Sequence, residues 1–299
     1  AEIVHGCVDE FHGYASKNNG DLFLMIWRTS DLDEAMVSKL GDMSLVSLLR
    51  ILTSVRRSPV LSQHGSHPAI LQRLGASYKV QLSAGLHFGW AVEGAVGSEF
   101  KIDASYLSPN VSAAESLEQA TKLYGVHILV SDSLMKICTH SFAGKCRLID
   151  TAIIPGSSEP MRIYTMDINL GPLQVEEKAA MGDKWTTRQR FRVRQFMEQE
   201  KASKLRDHVR MVTCFNEIDI MKARAKYTLQ FLHLFNAGYQ NYNQGEWSIA
   251  KGMLERTRDM LEVPDGPSVA LLKFMEQHAF QAPKKWQGVR ALIPAEIGY

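Results

Sequence analysis

The chain has 299 residues, with 34 Lys and Arg against 32 Asp and Glu and 45% hydrophobic residues, the balance of a globular protein with one or two cores. A net charge of +2 is too small to argue for nucleic acid or an anionic membrane as partner of the whole chain. No apolar run reaches the roughly 18 residues that a membrane span needs, so no transmembrane segment is expected. The opening AEIVHGCVDEF lacks the charged-then-apolar pattern of a secretory leader, which reads as a mature or excised segment.

Glu2 to Phe11 carries apolar residues at helical spacing. Asn19-Gly20 is a hairpin signal between Tyr14–Lys17 and Leu22–Trp27. Asp33 to Val55 predicts an amphipathic helix. The Pro-containing stretch SVRRSPVLSQHGSHP predicts a surface loop. Lys79–His87 and Trp90–Val96, divided at Gly89, read as a second hairpin. Ser108-Pro109 starts a helix that Gly125 ends after Tyr124. VHILVS is a short buried strand, and CRLIDTAII and MRIYTMDI flank the turn PGSSEP. This order of helices and hairpins predicts an α+β domain with a mixed or antiparallel sheet.

The character changes near Gly171-Pro172. From there on the patterns are helical and no strand stands out. The segment 169–217 is a basic helical linker in which Arg188, Arg190, Arg192 and Arg194 alternate with other residues. It reads either as a docking surface for an acidic partner or as a solvated helix face. Residues 218–299 hold three helical stretches, Ile218–Tyr242, Trp247–Leu261 and Ser268–Gln277, broken at Asn243-Gln244-Gly245 and Pro264-Asp265-Gly266-Pro267. Such short connections predict antiparallel packing. Cys7, Cys138, Cys146 and Cys214 form no CxxC pair and fit reduced thiols in a reducing, intracellular compartment better than a metal site.

Three motifs carry a family resemblance. Lys17-Asn18-Asn19-Gly20-Asp21 followed by LFLMIW, then GLHFGWAVEGAVGS (Gly85–Ser98), then Asp103 leading into NVSAAESLE (Asn110–Glu118) resemble, in order and separation, the class III adenylyl/guanylyl cyclase domain. The likeness covers about residues 1–168. The tail GYQNYNQGEWSIAKGMLE, PDGPS and WQGV resembles the helical segment that follows this domain in some bacterial and protist proteins. The resemblance implies a ferredoxin-like cyclase-homology domain, its first strand not in this sequence, followed by an all-helical C-terminal region. It also implies a site built between two such domains, and a cytoplasmic, flagellar, membrane-associated or organellar assembly as the setting. The GG[DE]EF signature of diguanylate cyclases is absent from the sequence.

Cyclisation of a nucleoside triphosphate needs two carboxylates for metal ions and cations facing the charge that develops on the phosphate. By resemblance, Asp21 matches a metal carboxylate, and Lys17 and Asp103 match the positions that read the purine. The stabilising Asn and Arg of the helix start fall on Ser112 and Ser116, and the phosphate-binding Lys falls on Pro155. A serine hydroxyl offers one neutral donor where arginine offers a charged fork, and loss of one such group costs about 10²–10³ in rate. Lys17 and Asp21 also suit plain turn chemistry, Asp103 a loop brace, and His87 a structural role.

The expectation is therefore a degenerate, inactive cyclase-homology domain serving as an assembly or regulatory subunit. It would pair with itself or another cyclase-like domain through the dimer face, and with a larger assembly through the basic linker and tail. No cofactor is expected, with Mg²⁺ or Mn²⁺ needed only by an active form. One half of an active heterodimer making cyclic AMP from ATP, and a non-catalytic nucleotide sensor, are the alternatives.

Overall fold

The computed structural model describes residues 1–65, 67–75, 78–99, 101–177, 186–206 and 208–297; for Lys17, Asn19, residues 101–104 and Ile297 the description covers the backbone. In chain order the elements are α1 (Glu2–Glu10), β1 (Tyr14–Asn19), β2 (Leu22–Ile26), α2 (Glu34–Arg57), α3 (Pro59–Gly65), α4 (Pro68–Leu74), β3 (Ala84–Leu86), β4 (Val92–Ser98), β5 (Lys101–Leu107) and α5 (Pro109–Tyr124). There follow β6 (Ile128–Ser131), α6 (Asp132–Ile137), α7 (His140–Ala143), β7 (Arg147–Ile153), β8 (Met161–Thr165), α8 (Thr187–Ser203), α9 (Ile218–Arg224), α10 (Leu229–Gln244), α11 (Trp247–Met260), α12 (Gly266–Gln277), β9 (Arg290–Ala291) and α13 (Pro294–Ile297). The architecture is α+β, a mixed sheet with flanking helices and a mostly helical C-terminal part.

The chain forms two compact units that interleave in sequence. The first comprises residues 1–82, 137–142 and 170–223; the second comprises 83–136, 143–169 and 224–299. In the first, α2 is the organising element. Asp33 caps its start by accepting from the Met36 N–H at 2.8 Å, and Arg56 and Arg57 sit in its last turn, where cations suit the helix dipole. Leu40 to Leu49 is buried without interruption. The hydroxyls of Ser44, Ser47 and Thr53 therefore donate to carbonyls of their own helix, the means by which polar side chains tolerate burial. Asp42, also buried, accepts from the N–H and hydroxyl of Thr139 at 3.0 and 2.6 Å.

In the second unit the strand order is β3-β6-β8-β7-β9. β6, β8 and β7 pair antiparallel, while the outer strands β3 and β9 pair parallel to β6 and β7. One hydrophobic core joins this sheet to the tail: Leu117, Tyr124, Leu129, Ile149 and Ile163 pack with Phe235, Tyr242, Trp247, Leu254, Leu271 and Met275. Two ionic clusters sit in the same unit. The Arg147 guanidinium bridges Asp167 (2.7 Å) and Asp265 (2.8 Å), with exposures of 5%, 3% and 3%, and lies over the rings of Phe231 and Phe235. Asp265 also caps α12, accepting from the Ser268 N–H and hydroxyl. Asp150 accepts from the Tyr124 hydroxyl at 2.7 Å and faces the Arg290 guanidinium at 3.8 Å.

Four local expectations change. Residues 59–74 form α3 and α4 rather than a loop, because Pro59 and Pro68 each open a helix, a position that suits proline's fixed φ. The second hairpin is β4–β5, not a pairing across Gly89; β3 joins the main sheet instead. The 218–242 helix breaks between Arg224 and Leu229, where Thr228 caps α10 by accepting from Phe231 N–H. The tail contributes a strand, β9, too short for periodicity to register.

Asp265→Ala leaves Arg147 paired with Asp167 but removes its second carboxylate and the cap that accepts from Ser268, and is expected to lower unfolding free energy by about 1–3 kcal/mol in urea denaturation. The pKa of Asp42 is raised to about 6, by burial first and against the hydrogen bonds from Thr139. A carboxyl with a raised folded pKa favours the folded state as pH falls from about 6 toward its unfolded value near 4. The Asp42→Asn variant is therefore expected to lose a stabilising increment that the wild type gains between pH 7 and pH 4, measured as the difference in their melting-temperature profiles.

Candidate functional site

The residues matched to nucleotide chemistry fall on four local structures. Lys17 lies in β1, at a register irregularity between Ala15 and Asn18, the kind of bulge that re-aims a strand. Asp21 follows Gly20, whose φ of +65° makes the turn, and is exposed. Asp103 lies in β5 opposite Val96 on the β4–β5 ribbon, outside the five-stranded sheet. Ser112 and Ser116 are one turn apart on α5, and Pro155 is in the turn after β7 next to Gly156, which has φ +81°. Lys17 and Asp21 thus share one hairpin in the first unit. The three positions where the family places polar or cationic phosphate partners belong to the second unit.

Those three positions offer a phosphate little. Ser112 is exposed, Pro155 half-buried, and neither carries charge. Ser116 is 1% exposed, and its hydroxyl has no hydrogen-bond partner among the described residues. Among the described residues of this unit, the buried Arg147 guanidinium is hydrogen-bonded to Asp167 and Asp265, and that of Arg290 faces Asp150 at 3.8 Å while its Nε and Nη1 make no hydrogen bond. Burial alone would lower the pKa of Arg147, but Asp167 and Asp265 outweigh it and the net direction is upward. No group of three or more His, Cys, Asp or Glu side chains among the described residues is arranged to hold a metal ion. Asp21 is the one carboxylate that the resemblance assigns to a metal, and it has no second carboxylate assigned beside it.

The GLHFGW stretch has a different task, one the sequence showed only in part. His87 Nε2 is 3.0 Å from Asn110 Oδ1 and its Nδ1 is 3.3 Å from Ser133 Oγ. An amide oxygen only accepts, so Nε2 carries the proton and Ser133 donates to Nδ1. Ser131 Oγ lies 2.9 Å from Ser133 Oγ. The pKa of His87 is lowered, by burial first, against the contribution of Asn110, which agrees with a neutral ring. Asn110 also donates to the Trp90 carbonyl at 2.8 Å. A Cβ on Gly85 would overlap the Ala114 carbonyl and Glu118 N–H, and one on Gly89 would overlap the Asn110 amide. Histidine and glycines together seat the start of α5 against β3. The sequence reading of His87 as structural rested on its place between Leu86 and Phe88; its partners Asn110 and Ser133 carry no sequence signal that joins them.

The adenylate cyclase of Anabaena cylindrica is 34% identical over 89 residues, 29% of this chain and 17% of that protein. The chain carries a class III cyclase-like region. It spans less than a fifth of that curated relative's length. Among solved structures, a bacterial light-regulated adenylyl cyclase is similar at 19% identity and TM-score 0.41, covering 67% of this chain and 47% of that one. The guanylyl cyclase Cya2 is similar at 16% and 0.42, covering 59% and 80%. The adenylyl cyclase CyaB from P. aeruginosa is similar at 18% and 0.41, covering 60% and 80%. No protein-family model matches.

A buried hydroxyl without a partner is a cost that its removal relieves. Ser116→Ala in the cyclase-like region is expected to leave stability unchanged or raise it by about 1 kcal/mol, read from the urea midpoint. Ser116→Arg, which forces an unpaired guanidinium into the same place, is expected to destabilise strongly rather than confer turnover.

Proposed function

We propose that this chain is a catalytically silent cyclase-homology module that serves a larger complex as an assembly or regulatory subunit. The observation that carries the reading is the chemistry at Ser112, Ser116 and Pro155. Where a transferring phosphate would accumulate negative charge, the chain presents one exposed hydroxyl, one buried hydroxyl and a proline. Losing both cations removes preorganised stabilisation worth about 10²–10³ in rate for each group.

The β4–β5 ribbon supports the assembly side of the proposal. Every residue of β4 is exposed, and Trp90, Val92, Val96 and Leu107 are large apolar side chains left in solvent. An isolated two-stranded ribbon is marginal in water, and contiguous exposed apolar surface marks interaction sites. Pairing with a second cyclase-like domain, of this chain or another, would cover it. The partition into a cyclase-homology domain over 1–168, a basic linker over 169–217 and a helical region over 218–299 belongs to this proposal as well.

A second reading, half of an active heterodimer, is favoured by Asp21, which stands exposed at a hairpin turn. It could reach a metal whose other ligands come from elsewhere, and Mg²⁺ or Mn²⁺ would be required.

Incubation of the purified chain with ATP or GTP and Mg²⁺ or Mn²⁺, followed by chromatography for cyclic nucleotide, is expected to show no product above the protein-free control. Clear turnover would overturn the silent-module reading. Appearance of product only when a second cyclase-like chain is added, with loss on Asp21→Ala, would favour the heterodimer. Val96→Asp on the ribbon is expected to weaken any self-association seen by analytical ultracentrifugation.

A further inference from the structure

Helix α8 has a charge distribution that works against itself. From Thr186 to Met197 the sequence TTRQRFRVRQFM holds four arginines and no acidic residue. Arg188 with Arg192, and Arg190 with Arg194, are like-charge pairs four residues apart, an unfavourable spacing on a helix. All four lie in the N-terminal half, where the helix dipole is already positive. Among the described residues none of the four makes an ion pair.

The two ends of α8 differ. The start is fixed by a capping box between Thr186 and Gln189. The last turn is held to α1, through Lys201 with Asp9 (2.7 Å), Lys204 with Glu10 (3.0 Å), and His12 Nε2, which is 2.8 Å from the Lys201 carbonyl. Between them no residue of the helix is buried. Phe191, Phe196 and Met197 are 68%, 59% and 61% exposed. A helix with this much apolar surface and unneutralised charge is built to be covered.

The occupant is constrained by charge and by geometry. Four arginines without counter-charges call for an acidic surface. At about 100° per residue, Val193, Phe196 and Met197 share a sector roughly 100° wide, and Phe191 lies about 120–160° from all three. Apolar side chains therefore project from two opposed sides. A flat anionic bilayer takes up one side of a helix and leaves Phe191 in water. Phosphate contacts from nucleic acid would engage the arginines and leave both apolar sides uncovered. An acidic protein that closes around the helix satisfies all of these groups together, and that is how calcium-loaded EF-hand proteins present methionine-lined grooves to basic helices.

We propose that α8 is the docking helix for a calcium-loaded EF-hand sensor, whose acidic rim meets Arg188, Arg190, Arg192 and Arg194 and whose apolar lobes cover Phe191 on one side and Val193, Phe196 and Met197 on the other. This deepens the assembly reading by giving the linker a partner of defined chemistry. It does not depend on whether the cyclase-like region turns over nucleotide.

The test titrates the full chain into fluorescently labelled calmodulin, as the probe, in calcium and in EGTA. Saturable binding with a Kd of about 1 μM or tighter is expected in calcium and is lost in EGTA. Arg190→Glu combined with Arg194→Glu, and separately Phe191→Ser, are each expected to weaken binding by at least about tenfold. These positions are exposed, so melting temperature and circular dichroism should stay unchanged. Absence of binding at tens of micromolar, equal binding without calcium, or indifference to both variants overturns the proposal. Binding to phosphatidylserine vesicles or to duplex DNA without binding to calmodulin overturns it in favour of those surfaces. The ribbon variant Val96→Asp, which tests self-assembly, is expected to bind calmodulin like the wild type, so failure of the two readings can be told apart.

Discussion

Arg147 holds Asp167 and Asp265 at once, under the faces of Phe231 and Phe235. The three charges come from β7, from the segment after β8 and from the cap of α12, so one guanidinium fastens the sheet to the C-terminal helices. A buried charge is tolerated only when paired and hydrogen-bonded, and here all three are. The same carboxylate that accepts from Arg147 also caps the start of α12 by accepting from the Ser268 N–H. Helix start, ion cluster and sheet contact therefore depend on a single side chain.

The tail consequently belongs to the fold of the second unit. Trp247 stacks on Tyr242, and its indole N–H donates to the Tyr242 carbonyl. Trp286 donates to the same carbonyl, and Asn243 donates to the Gly288 carbonyl. A Cβ on Gly266 would overlap the Tyr124 carbonyl, which explains a glycine directly after Asp265. Arg290 lies over the rings of Tyr124 and Phe274 while facing Asp150. Burial pushes the pKa of Asp150 up to about 6, with Arg290 and the Tyr124 hydroxyl opposing it. The tail motifs thus act as packing and charge partners of a cyclase-like sheet.

This arrangement bears on function through what its cations are doing. Arg147 is committed to two internal carboxylates and Arg290 faces Asp150, while the positions that the cyclase resemblance matches to phosphate partners carry hydroxyls and a proline. Among the described residues Arg188, Arg190, Arg192 and Arg194 make no ion pair, on a helix, α8, with no buried residue. Large apolar side chains are also exposed on the β4–β5 ribbon, at Val92, Val96 and Leu107, and on α8, at Phe191, Phe196 and Met197.

The sequence by itself determined the cyclase likeness, the helices α1, α2, α5, α11 and α12, and the β1–β2 and β7–β8 turns, because each rests on local periodicity, capping residues or residue identity. It misplaced the second hairpin, since Gly89 looks like a turn from its neighbours alone and is in fact small because Asn110 lies against it. It left Asp265 as part of a turn motif and Arg290 without a role, and it passed over β9. Only the tertiary structure decided these. The pairing of Arg147 with Asp265 spans 118 residues, and no local pattern of spacing or propensity records which distant charge a buried guanidinium will meet.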